Sequence, residues 1–178
     1  PKEKIKSFKK ISLFFKKLKY KEQNDLLQII TSNIKRTQFN ELLLNKDDLL
    51  RLKNSKLITL GGHTHNHLSL KHLKEHEILE ELKTSKKIIE EIIGKKIDHF
   101  AYPYGTKNDV GKREMKLVEK SGFLSAVTTQ VNIFETFQNF FLPRIYINER
   151  DDKNILLFKL SFIYRFYYFF RFKLFNFD

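Results

Sequence analysis

The segment Leu57–Leu70, LITLGGHTHNHLSL, sets His63, His65 and His67 at alternate positions behind Gly61 and Gly62. A neutral imidazole ligates metals, and histidine titrates close to physiological pH. The cluster therefore offers a metal site, an acid/base pair, or a polar loop that is merely histidine-rich. His63 and His67 lie four apart. On a helical turn or in a compact loop, that spacing brings two imidazoles to one side. Two neutral imidazoles and a carboxylate are a common ligand set for a catalytic zinc with an open water position. Paired surface histidines are the plain alternative.

A second segment, FAYPYG (Phe100–Gly105), reads as a strand running into a rigid turn. Backbone N–H groups there are free of the sheet and could serve as an oxyanion hole. The competing reading is a packed aromatic corner of Tyr102, Pro103 and Tyr104.

The elements that must position these residues alternate from residue 57 onward. KLITL is a short strand ending at the glycine pair, and residues 75–93 form the clearest helix. Its buried stripe is Ile78, Leu79, Leu82, Ile88, Ile89 and Ile92, with acids leading. Gly94 ends it. A strand into FAYPYG follows, then a helix over 110–121, the strand FLSAVTT, the loop VNIFETFQNF and the strand FLPRIYI. Alternating β and α elements predict an α/β layered or barrel fold whose site lies at the carboxyl ends of strands.

Before this block, residues 3–19 carry Ile5, Phe8, Ile11, Phe15 and Leu18 at helical spacing among lysines. This predicts a basic amphipathic helix, packed on the domain or lying on a membrane surface. Residues 22–35 are a second helix, and NKDDLLRLKN a third that starts near Asn45 or Lys46. The tail 155–178 holds eleven aromatic residues, with Lys159, Arg165, Arg171 and Lys173 between them. It would close the domain's own core or contact an interface or partner.

The length of 178 residues suits one domain. With no cysteine, disulfides, thiolate zinc sites and cysteine nucleophiles are excluded. The net charge of +13 is concentrated in residues 1–21 and 155–178, leaving a nearly balanced centre. No nucleic-acid motif accompanies it, so no nucleic-acid partner is expected. No glycine-rich phosphate loop supports nucleotide chemistry. PKEKIKSFKK is no signal peptide, and the compartment stays open between cell envelope and cytoplasm.

Taken together, GGHTHNHLSL, EELKTSKKIIEEIIGKKIDHFAYPYG, SGFLSAVTT and FLPRIYI resemble the polysaccharide deacetylases of the NodB-homology type, carbohydrate esterase family 4. The likeness runs from about Lys46 to Ile147 and is strongest over 57–129. It implies a distorted (β/α) barrel, incomplete at its N-terminus, with extra N-terminal helices. Residues 1–45 would be a basic helical lead-in, 46–150 the C-terminal part of the deacetylase-like domain, and 151–178 an aromatic-basic tail. It implies zinc-dependent hydrolysis of N-acetyl, or sometimes O-acetyl, groups on an envelope or capsular polysaccharide. His63 and His67 would ligate Zn2+ or another divalent metal. Thr64 would steady the loop by hydrogen bonding. The Tyr104 N–H would hold the oxyanion, and Tyr102, Pro103 and Tyr104 would shape the substrate groove. His65 falls at a variable position, and His72, His76 and His99 match no catalytic one.

The family's first motif, Thr-Phe-Asp-Asp, supplies a base and a metal ligand. No such segment precedes His63, so both are expected upstream of Pro1 in a longer enzyme. Neither Asp47-Asp48 nor Asp151-Asp152 is nominated in its place. Ala101 stands where the family often has arginine. Arg144 stands where a general-acid histidine would help; it cannot release a proton near neutral pH and would orient a carboxylate or the substrate. The alternatives are a catalytically inactive deacetylase-like domain that binds glycan or a partner, and a basic membrane-surface or nucleic-acid protein.

Overall fold

The computed structural model describes residues 2–32, 43–130, 139–164, 166–167 and 170. Among them run α1 (Lys2–Phe15), α2 (Tyr20–Thr31), α3 (Lys46–Leu52), a 3-10 turn (Leu70–His72), α4 (Glu75–Ile93), β1 (His99–Ala101), α5 (Lys112–Lys120), β2 (Ser125–Val127) and α6 (Lys153–Leu160). The end of the expected second helix, most of VNIFETFQNF, and the tail residues Arg165, Arg171 and Lys173 lie outside the described residues.

β1 and β2 pair in parallel, Phe100 opposite Ala126. Single parallel bridges extend the ladder on both sides, Gly62 to Phe100 and Val127 to Leu142. Four chain passes thus lie side by side in sequence order. α4 links the first to the second and α5 the second to the third, the alternation expected of an α/β fold.

Two expected strands shrink to those bridges. KLITL forms no strand, and Leu57 is 96% exposed. With Gly62 registered on Phe100, residues 57–60 would have to pair with the segment that turns out of α4, which offers no extended partner. FLPRIYI keeps one bridge at Leu142, whose N–H and C=O bond Ala126 and Thr128; the next donor on that side, the Arg144 N–H, goes to the Gln130 carbonyl at 3.1 Å, out of register with the ladder.

α4 spans the predicted residues and ends at Gly94, whose φ of +66° is the left-handed cap that glycine adopts without strain. Its buried face is Ile78, Glu81, Leu82, Ser85 and Ile93, with Leu79, Ile89 and Ile92 packed beside it. Ile88, expected in the stripe, is 39% exposed, because it falls on the edge facing away from the sheet. The core under α4 gathers Leu68, Leu70, Ile97, Phe100, Val118 and Phe123. Glu114, fully buried, binds Arg113 and accepts the Gly111 N–H, while Arg113 donates to the carbonyls of Leu70 and Lys71. This pins the turn that follows the histidines.

α1 has the predicted amphipathic pattern, but none of its residues is buried, and Phe8 is 71% exposed. The reading of α1 as a helix packed by its apolar face is corrected accordingly. The corner after it is anchored by polar groups. Lys16 pairs with buried Asp109, Lys19 pairs with Glu77, and Gln23 closes the turn onto the Phe15 and Leu18 carbonyls. α6 likewise buries no residue; much of the tail that would close the core lies outside the described residues.

Candidate functional site

The histidine loop leaves the sheet at Gly62, whose N–H donates to the His99 carbonyl at 2.9 Å. Both glycines are needed for close approach. A Cβ on Gly61 would sit 2.7 Å from the His99 carbonyl oxygen, and one on Gly62 would sit 2.9 Å from the Phe123 ring. The loop then takes left-handed backbone at Thr64 (φ +63°) and His67 (φ +55°), conformations that cost non-glycine residues strain and collect at functional sites. This folding brings the two predicted ligands together. The rings of His63 and His67 meet edge to face with centroids 4.8 Å apart.

His63 Nδ1 lies 2.7 Å from the Ala101 carbonyl oxygen. A carbonyl only accepts, so Nδ1 carries the proton and Nε2 keeps the free lone pair. This outer contact is the kind that fixes the tautomer of a metal-ligating histidine. Loss of water on the protein-facing side of His63 pushes its pKa below the ordinary histidine value; the Ala101 bond opposes this, and the charges of His67 and Arg144 add to it. His63 is thus kept neutral, as a ligand must be.

The Tyr-Pro-Tyr-Gly turn stands beside the pair. The Tyr104 ring contacts His67 edge to face at 5.3 Å. Tyr104 has φ +63° and Gly105 φ +67°. The Tyr104 N–H donates to no other group among the described residues, whereas the N–H of Gly105 is taken by the Pro103 carbonyl. Tyr102 and Pro103 are buried. Tyr102 is 1% exposed, and its hydroxyl donates to the Phe140 carbonyl at 2.9 Å. They support the turn from behind, so the aromatic-corner reading describes these two and only Tyr104 faces the open side.

Arg144 is held by its Nε, which donates to the Thr128 carbonyl at 2.8 Å. Thr64 Oγ1 donates to the His63 carbonyl at 2.6 Å. His99 bonds Ser125, away from the pair. The aspartate pairs do local work: Asp48 and Asn45 cap α3 reciprocally, Asp151 binds Lys159, and Asp152 caps α6. Among the described residues, no three histidine, aspartate or glutamate side chains gather around one point. His63 and His67, with their rings in contact, fit a metal as two of its ligands, and a third protein ligand is not among the described residues.

Three residues of this neighbourhood escaped the sequence reading. Glu81 of α4 accepts from the His65 and Asn66 N–H groups and from the Asn66 amide. Lys16 lies over the Tyr104 ring, 4.8 Å from its centroid, while paired with Asp109. Asp109 also accepts from Thr106 and Ser69. Glu81 had a sequence signal, since an acid at that position interrupts the apolar stripe of α4. Lys16 had none, being one lysine among many in a basic helix.

The profile of the family described as Polysaccharide deacetylase matches residues 14–121. The chain belongs to that family. The match starts at Phe14, well before Lys46, and stops short of the Leu142-Pro143-Arg144 stretch. Solved deacetylases share the fold. The Streptococcus pyogenes deacetylase PplD, in complex with acetate, is 19% identical with a TM-score of 0.56, over 66% of this chain and 51% of that one. A polysaccharide deacetylase from Bacillus cereus is 22% identical with a TM-score of 0.57, over 66% and 37%. A de-N-acetylase from Aggregatibacter actinomycetemcomitans is 15% identical with a TM-score of 0.54, over 71% and 58%. The chain therefore spans between 37% and 58% of these three structures' lengths. No curated protein matches it.

Proposed function

We propose that this chain carries the histidine half of a zinc-dependent deacetylase site, acting on N-acetyl, or alternatively O-acetyl, groups of an envelope or capsular polysaccharide, within a distorted (β/α) barrel. The observation that carries this is the meeting of His63 and His67, with the His63 tautomer set by Ala101, beside a Tyr104 N–H that has no acceptor among the described residues. A bound zinc supplies Lewis-acid polarisation of the acetyl carbonyl and a water of lowered pKa. His63 and His67 would hold it. The Tyr104 N–H donates to the carbonyl oxygen as negative charge builds there, a role worth ~3–4 kcal/mol for one such donor in other enzymes. Arg144, tethered at Thr128, orients a carboxylate or the glycan. The base and third ligand belong to a carboxylate pair outside the described residues. The test is acetate release from an N-acetylated glycan by the whole protein. Release that needs zinc and is lost in His63→Ala supports the reading; release unaffected by His63→Ala overturns it, and glycan binding without release points to an inactive binding domain.

The lysines and exposed Ile5, Phe8 and Ile11 of α1 support a further contact with an anionic membrane surface. Co-sedimentation with anionic but not neutral vesicles is expected; equal partition to both would remove this contact.

A further inference from the structure

We infer that Glu81 is the positioning residue that holds His63 and His67 in their converged arrangement, an inference that rests on the proposed metal role of that pair. Glu81 sits on α4 between Ile78 and Leu82, both fully buried, and is itself 7% exposed. Its Oε2 accepts the N–H groups of His65 (2.9 Å) and Asn66 (2.8 Å), and its Oε1 accepts the Asn66 side-chain amide (2.6 Å). All three bonds fall on the two residues between the left-handed turns at Thr64 and His67. A strained loop relaxes unless its centre is fixed, and three hydrogen bonds to one side chain fix it. A buried carboxylate on a rigid helix thus sets the geometry of two imidazoles it does not touch.

Glu81→Ala removes all three acceptors. Glu81→Gln keeps one carbonyl oxygen for the backbone N–H pair. Ser85→Ala is the control, on the same buried face with a hydroxyl that has no hydrogen-bond partner among the described residues. Three readouts separate positioning from plain stability: amide exchange at His65 and Asn66, the nuclear Overhauser contact between the His63 and His67 rings, and zinc affinity by calorimetry. Glu81→Ala is expected to accelerate exchange, abolish the ring contact and weaken zinc ~10–100-fold, the usual effect of losing an outer partner of a ligand. Glu81→Gln should recover most of each, and Ser85→Ala should change none. If Glu81→Ala does not fold, Asn66→Ala, which deletes only the bond to Oε1, carries the test with a smaller shift of the same sign. Retention of the ring contact and of zinc affinity in the folded variants overturns the inference. A wild-type whole protein that shows the ring contact yet takes up no zinc overturns the metal reading, and the Glu81 variants still decide the positioning role through the ring contact alone.

Discussion

His63 shows how one side chain can be legible in sequence while its chemistry is not. Residue type and the four-residue spacing to His67 predict the pair. The Ala101 carbonyl that fixes its tautomer belongs to another pass of the chain, 38 residues away, and no local pattern announces it. Glu81 was hidden for a related reason. In an acid-rich helix, one glutamate that turns inward differs from its neighbours only by its place on the wheel. At Tyr102 and Pro103 motif position does not distinguish a side chain from the backbone it presents. The lowered pKa of His63 has a consequence for pH dependence. The folded chain binds this proton more weakly than the unfolded chain, so stability rises with pH across the window between the two values. The contribution is complete above the unfolded value of ~6.5 and is lost as pH falls through the lower folded value. An NMR titration of the His63 ring should show a midpoint below ~6.5. A midpoint at or above that value would contradict the account.

At the level of elements, helices were easier to read than strands. α4 declares its face over 19 residues, whereas β1 and β2 have three residues each and depend on partners far along the chain. KLITL has strand composition but no extended partner in register, and FLPRIYI leaves the ladder after Leu142, where the Arg144 N–H goes to Gln130. The glycine pair before the histidines is a packing requirement of the sheet as well as a lead into the loop. Gly62→Ala is expected to destabilise by ~1–3 kcal/mol, the usual cost of overpacking, since its Cβ would press on Phe123 and Phe100. Leu82→Ala, at a fully buried position, should cost ~2–5 kcal/mol. Chemical denaturation measures both, and a neutral result at either position would mean that the packing between α4 and the sheet is misassigned.

Across the whole molecule, the block from Gly62 to Leu142 carries the sheet and the site, as the alternation of elements predicts. α1 and α6 expose apolar side chains instead of burying them. Periodicity alone shows that a helix has an apolar face; it does not say what covers that face. Among the described residues no helix is long and apolar enough to cross a membrane. The basic lead-in nevertheless reaches the site through Lys16, and the family match begins within it. The most direct test of the central claim is a zinc titration, followed by calorimetry, of the whole protein, with the carboxylate pair that the proposed site requires, and of its His63→Ala and His67→Ala variants. One zinc bound per chain, lost when either histidine is removed, is the predicted result. Uptake that survives both substitutions, or no uptake by the unaltered protein, would contradict it.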